Sequence, residues 1–156
     1  MVTQLSITTR QATANDLEKL YTIERECFTI EAFTKERLMF LLQDSNSVSL
    51  IAQVNGEIAG FIIGLIQHIR GMKTGHIYTI DVAIKYRRKG VGIRLLKELE
   101  QIFVKEGVKV CYLEARLNNV AALELYKKQG YTEVERLKNY YNEGAHGVCL
   151  QKWLSQ

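Results

Sequence analysis

The sequence predicts an α/β domain with a mixed sheet, and three observations carry that expectation. Apolar residues recur at two different periods along the chain, alternating in some segments and spaced by three and four in others. An Asn55-Gly56 pair stands between two apolar runs, which is a strong hairpin signal. After Gly90 a long helical stripe is followed by a run that is apolar on both faces, the mark of a central strand. The resulting order is β-α-α-β-β-β-α-β-α-β-β, with about seven strands and four helices.

Each element has its own justification. Ile7–Gln11 reads as a short first strand. Asn15 is placed to cap a helix whose stripe runs Leu17, Leu20, Tyr21 and Phe28, with Glu24 as a polar break. Thr34, Arg37 and the apolar set Leu38, Phe40, Leu41 and Leu42 suggest a second short helix. Ser47–Val54 and Glu57–Gln67 form a hairpin across Asn55-Gly56. A glycine-bearing turn (Gly71, Gly75) leads to a fourth strand, His76–Ile84. Val91, Leu95, Leu96, Leu99, Ile102 and Phe103 then mark one face of a helix that stops at Gly107. Val108–Arg116 is the central strand, and Asn119–Gln129 is a helix ended by Gly130. Tyr131–Leu137 and Gly147–Trp153 close the chain around a polar loop.

At 156 residues, 47% of them hydrophobic, the chain is long enough to bury a core without disulfides or metals, and a single domain over 1–156 is expected. The longest apolar stretch, Ile58 to Ile66, is broken by Gly60 and Gly64 and falls far short of a bilayer span, so no membrane partner is expected. The N-terminus has no basic start followed by an apolar run, and a cytoplasmic location is expected. Cys27, Cys111 and Cys149 are odd in number and lack CxxC spacing, which argues against a disulfide framework and a metal site. The net charge of +4 is uneven. Residues 68–109 carry ten Lys/Arg against four Asp/Glu, which suits nucleic acid or a small polyanion such as a nucleotide cofactor.

The most informative stretch is Arg87-Arg88-Lys89-Gly90-Val91-Gly92, between a strand and a helix. Glycines let backbone N–H groups close on an anion, and the helix N-terminus adds its positive end. A dinucleotide fingerprint would need a third glycine where Leu95 stands, and a P-loop would need Gly-Lys-Ser/Thr. Taken alone, the stretch is equally readable as a glycine-containing turn with a solvated charge run.

Arg-x-x-Gly-x-Gly after Tyr86, followed by Leu95-Leu96, resembles the acetyl-CoA pyrophosphate loop of the GCN5-related N-acetyltransferases. The run Leu113-Glu114-Ala115-Arg116, Asn119, Ala122, Leu125-Tyr126 and Gly130-Tyr131 resembles the rest of that family's signature. Gly75-His76-Ile77 and Asn139-Tyr140-Tyr141 resemble the branch that acetylates protein N-termini, ribosomal-protein-alanine enzymes included. The resemblance covers nearly the whole chain. Lys85-Tyr86 departs from it, since many relatives have proline near that turn.

The resemblance implies the family's fold and acetyl-CoA as cosubstrate. The backbone of Ile80 and Val82 would pair with pantetheine, and Arg87, Arg88, Lys89, Gly90, Val91 and Gly92 would take the pyrophosphate. Asn119 would bind the pantetheine arm, although an asparagine there is also a good helix cap. Any oxyanion would be stabilised by main-chain N–H groups, that of Val82 first. Tyr126 would be the general acid beside the sulfur, where periodicity alone makes it an inward aromatic of a helix. Glu114 would be the principal base, working through water with His76 as helper. On the residues alone, Glu114 is a carboxylate on an otherwise apolar strand, costly unless paired or close to water, and a buried pair with a basic group such as Arg116 is the alternative to the base. His76 reads as a strand-end histidine. Tyr140, Tyr141 and Glu31 would meet the peptide, or else be strand-end aromatics and a surface carboxylate.

Acetyl transfer to an amine needs a neutral nucleophile, a polarised carbonyl and a proton for the leaving thiolate. A peptide α-amine, with a pKa of ~7.7–8.0, asks only for a modest base. Cys111 faces away from Glu114, and neither Cys27 nor Cys149 has a base beside it in sequence, so direct transfer in a ternary complex is expected over an acyl-cysteine. The reading is an acetyl-CoA-dependent transferase acting on protein or peptide N-termini, with ribosomal protein among the candidates. A lysine or small-molecule amine acetyltransferase of the same fold is the alternative. A basic nucleic-acid module is disfavoured, because glycines rather than stacking aromatics interrupt the basic run.

Overall fold

The computed structural model describes residues 5–28 and 31–154. β1 (Ile7–Gln11) leads through a single 3-10 turn, Ala14–Asp16, into α1 (Leu17–Cys27). Asn15 lies within that turn and does not cap α1. The Asp16 carboxylate instead accepts the Thr13 N–H at 2.8 Å and an Arg10 fork at 2.8 and 2.9 Å. α2 (Lys35–Gln43) is capped as expected, Thr34 Oγ1 accepting the Arg37 N–H. β2 (Ser47–Val54) and β3 (Glu57–Ile69) pair across Asn55-Gly56, both of which have positive φ.

The fourth strand differs from its sequence reading. β4 runs Met72–Val82, because the turn is Arg70-Gly71 (φ 53° and 77°) and Gly75 belongs to the strand. Gly75 is buried against α3 (Val91–Lys105). A Cβ there would stand 2.4 Å from the Phe103 ring, so the missing side chain is what lets strand and helix meet. β5 begins at Val110 rather than Val108 (Val110–Arg116), and α4 spans Val120–Lys128. β6 (Thr132–Asn142) and β7 (Ala145–Trp153) form one long hairpin. Tyr140 and Tyr141 therefore lie on β6 near its end and not in a loop.

The seven strands lie in the order β1-β2-β3-β4-β5-β7-β6, with β4 and β5 parallel and every other pair antiparallel. One face is covered by α3 and α4 over Leu50, Ile62, Ile77, Leu113 and Leu150. The other is covered by α1 and α2 over Ile51, Phe61 and Ile63. Among the described residues no helix is long and apolar enough to cross a membrane.

Two irregularities create the site. β4 carries one extra residue against β3, since Ile63 pairs with Thr79 while Gly64 pairs with Ile77, leaving Tyr78 as a bulge. β4 and β5 stay in register only from Thr74–Val110 to Ile77–Leu113. Beyond that point Thr79–Val82 pair with β3 and Glu114–Arg116 with β7, so the sheet splits at its centre.

Candidate active site

A cavity of about 640 Å³ fills this split. Its lining includes Glu31, His76, Ile80, Glu114, Asn119, Tyr126, Tyr140 and Tyr141, eight of the residues singled out in the sequence. Val82 and the Arg87–Gly92 turn are not part of that wall. A Cβ at Gly92 would stand 3.6 Å from the Val82 side chain and 3.9 Å from Leu125 of α4, which puts the start of α3 close to both.

His76 and Glu114 come from neighbouring strands, 38 residues apart, and meet where the two strands begin to part. His76 Nε2 lies 2.8 and 3.1 Å from the two Glu114 carboxylate oxygens, so the ring proton sits on Nε2 and is donated. Tyr140 donates a second hydrogen bond to Glu114 Oε1 at 3.3 Å. The imidazole is wedged between Tyr112, stacked at 4.3 Å between centroids, and Tyr78, tilted at 4.2 Å. Tyr112 is in turn held by Gln67, and burial pushes its phenol up to about 12. The bulge at Tyr78 makes this packing possible by turning Tyr78 and Thr79 together towards α1.

The alternative partnership, Glu114 with Arg116, does not form. Arg116 reaches the other way and holds Glu31 through Nε and a terminal nitrogen, at 2.7 and 3.0 Å. That pair ties the chain between α1 and α2 to β5, and the arginine hydrogen bond holds the Glu31 carboxyl below its usual range. The Arg116 guanidinium also lies over the Tyr141 ring, 5.2 Å from its centre. Tyr141 packs edge-on to Tyr140, and burial raises the pKa of both phenols. Asn139 (φ 53°) sets the pair's direction. Its N–H is taken by His146, and its side chain accepts the Gly144 N–H.

Tyr126 points from α4 into the cavity, and desolvation, with the nearby Asp81 carboxyl second, raises its pKa well above the phenol value. It therefore remains an O–H donor through neutral pH. Asn119 caps α4 by accepting the Ala122 N–H at 3.2 Å, which leaves its amide N–H groups free to serve a ligand. The structural role and the expected binding role are compatible.

The turn into α3 is set by its backbone. Arg88 (φ 60°) and Gly90 (φ 86°) are both left-handed, and Gly90 is the residue immediately before α3. Arg88, Lys89 and Gly90 are exposed, Val91 is buried in the core and Gly92 is half-buried. Arg87, expected at the pyrophosphate, also makes contacts within the chain. Its Nε donates to the Val82 carbonyl at 3.0 Å, and a terminal nitrogen lies 3.3 Å from Cys27 Sγ, clasping the end of α1 to β4. Lys85 and Tyr86 both donate to Glu57, at 3.2 and 2.6 Å, which fixes the approach to the turn. Since Val82 turns its carbonyl away from β3, its N–H, and by strand alternation that of Ile80, turn the same way, into the split. The split thus offers backbone donors, a left-handed helix entry and basic charge in one line, as an extended thioester with a pyrophosphate would require.

Sequence reasoning missed two residues here. Glu24 on α1, which lines the cavity, and Asp81 on β4 are both buried, although Glu24 had stood out as the polar break in an apolar stripe. Asp81 follows the same signal, a carboxylate between Ile80 and Val82.

Comparison with known proteins agrees with this geometry. The Acetyltransferase (GNAT) family model matches residues 17–131. An N-alpha-acetyltransferase of Sulfurisphaera tokodaii is 31% identical over 153 residues, covering 90% of this chain and 89% of that protein. Human N-alpha-acetyltransferase 30 is 30% identical over 116 residues, covering 74% of this chain but 32% of its own length. The crystal structure of the ribosomal-protein-S18-alanine N-acetyltransferase from Escherichia coli superposes with a TM-score of 0.85 at 25% identity, covering 97% of this chain and 96% of that one. Ard1 from Thermoplasma volcanium gives 0.86 at 24% identity, over 96% and 99%. The split sheet with its basic helix entry is thus the fold of an acetyltransferase. The chain belongs to the GNAT family and is an acyltransferase that uses acetyl-CoA.

Proposed function

We propose that this acetyltransferase acts on the α-amine of protein or peptide N-termini by direct transfer in a ternary complex. The observation that carries the proposal is the His76–Glu114 contact at the mouth of the split, with Tyr140 on the same carboxylate and Tyr126 across the cavity. Acetyl-CoA brings the activated acetyl group. Ile80 and Val82 hold its pantetheine through their N–H groups, Asn119 through its side-chain amide, and the turn from Arg88 to Gly92 receives the pyrophosphate. Arg87 braces the start of that turn through the Val82 carbonyl.

Glu114 takes the ammonium proton through a water, and the His76 and Tyr140 donors hold the carboxylate in place. The Val82 N–H faces the developing oxyanion. Tyr126 supplies the proton to the departing thiolate. Burial raises both Cys27 and Cys149 to about 11, so neither is a thiolate at neutral pH, which favours direct attack by the amine. Tyr140, Tyr141 and Glu31 line the peptide end. Glu31 is neutralised by Arg116, so that end is shaped more by aromatic surface than by free charge. Support for an N-terminal substrate also comes from the relatives, several of which carry that activity in their names.

The test is a peptide panel with varied N-termini and internal lysines, incubated with acetyl-CoA and read by mass spectrometry. Acetylation confined to the α-amine is expected. Acetyl groups found only on internal lysines would overturn the N-terminal assignment.

A further inference from the structure

Glu24, Thr79 and Asp81 form a chain of three oxygens beneath the cavity. Thr79 Oγ1 contacts Asp81 Oδ1 and lies 3.3 Å from Glu24 Oε1. The other Glu24 oxygen accepts the Phe33 N–H at 3.0 Å. Asp81 and Glu24 are 0% and 1% exposed, and Asp81 Oδ2 is buried without a hydrogen-bond partner among the described residues. A hydroxyl has one proton to donate, and here it faces two carboxyl oxygens. If both groups were ionised, one of the two contacts would be a repulsion between lone pairs, and a full charge would rest on an oxygen with nothing to stabilise it.

We propose that this unit holds one proton, and that through it Glu24 positions the chain between α1 and α2 at the peptide end of the cleft. The proton resides on Asp81, which donates to Thr79. Thr79 donates to the Glu24 carboxylate, and Glu24 keeps a free oxygen for the Phe33 N–H. Phe33 lines the cavity, and Arg116 grips Glu31 two residues earlier, so the same stretch is held at two points.

The groups that face Asp81 agree with a neutral carboxyl. On α1 these are Glu24 and Cys27, on α4 Tyr126, and after β4 Arg87. Cys27 and Tyr126 are both raised and uncharged at neutral pH. Arg87 favours ionisation of Asp81, but its guanidinium is engaged by the Val82 carbonyl and Cys27. Burial, with Glu24 next, outweighs it and holds the Asp81 carboxyl well above its usual range. Loss of the proton would set two negative charges across one hydroxyl and push Glu24 from Phe33. The proton and the peptide are then coupled, each favouring the other's binding.

The positioning part rests on the acetyltransferase reading, and the proton does not, so two measurements separate them. Infrared spectra of wild type at pH ~7, in water and in deuterium oxide, should show a protonated-carboxyl stretch that shifts on deuteration. It should vanish in Asp81→Asn, where the amide supplies the donor to Thr79 in place of the acid, and persist in Glu24→Gln, where Asp81 stays buried with an unpartnered Oδ2. Absence of the band in wild type, its survival in Asp81→Asn or its loss in Glu24→Gln overturns the proton's place on Asp81. In the second measurement, the peptide KM of wild type relative to Asp81→Asn should rise roughly fivefold or more on going to alkaline pH, with acetyl-CoA affinity unaffected. Taking this ratio cancels ionisation of the substrate amine. A flat ratio with the band present overturns the positioning role. If no peptide is acetylated by any of the three proteins, the substrate assignment fails, the positioning role falls with it, and the band still decides the proton.

Discussion

Glu114 accepts hydrogen bonds from two side chains that approach from different strands, His76 at 2.8 Å and Tyr140 at 3.3 Å. Replacing it with glutamine keeps the shape and removes the charge and basicity. Glu114→Gln should lower kcat by about 10²-fold or more, the usual size of a general-base effect, with acetyl-CoA affinity and Tm nearly unchanged. His76→Ala should cost less, and the double variant should fall short of the product of the two effects, because both act on one carboxylate. Steady-state kinetics from pH 6 to 9 checks this, and full activity of Glu114→Gln would remove the residue from the mechanism. His76 is expected from the sequence and the family resemblance as a helper of Glu114, whereas the Tyr140 hydrogen bond to the same carboxylate is not legible there. Arg116, two positions from Glu114 on the same strand face, was the natural partner by spacing, yet the split turns it to Glu31. A salt bridge between elements depends on where the chain returns, and strand alternation carries no information about that.

At the scale of elements, the chain between α1 and α2 is pinned to β5 by Arg116–Glu31, and its effect on stability has a definite sign. The folded-state pKa of Glu31 is lowered, chiefly by the Arg116 hydrogen bonds, so the pair contributes stability above the unfolded carboxyl value of ~4.3. That contribution disappears as pH falls through the lowered folded value. Arg116→Met should therefore reduce stability by about 1 kcal/mol at neutral pH, with the Tm difference from wild type shrinking below pH ~4. A difference independent of pH would contradict it. The packing of β4 on α3 gives a second prediction. Gly75→Ala places a Cβ 2.4 Å from the Phe103 ring and should cost about 1–3 kcal/mol, seen as a lower Tm. The sequence reading put Gly75 in a turn because glycine marks turns more often than it marks close approach within a strand. Only the position of Phe103 distinguishes the two uses.

Across the whole molecule, positive charge is concentrated between residues 68 and 109, and the structure brings its densest run, Arg87 to Lys89, to the entry of α3. Acetyl-CoA affinity should fall several-fold as salt rises from about 0.05 to 0.5 M, since exposed charges act through a screened field. Lys89→Ala should weaken binding and flatten that dependence, while Gly92→Glu should abolish binding by putting a carboxylate at the helix entry. Calorimetry at three salt concentrations measures both, and an affinity indifferent to salt would remove the turn from the cofactor site.

The sequence by itself determined the order of eleven elements, the hairpin at Asn55-Gly56, the central strand carrying Glu114 and the glycine entry to α3. Each of these is a local property, written in periodicity, turn chemistry or capping. Tertiary structure decided the single-residue bulge at Tyr78, the parting of β4 from β5 after Ile77–Leu113, and the meeting of Glu24 with Asp81 across 57 positions of chain. A bulge is defined only against the partner strand, and a split only where two strands stop sharing hydrogen bonds. A buried carboxyl pair likewise exists only once a helix and a strand have closed over it. The chemistry of this site lies in such relations, which no segment of the chain possesses alone.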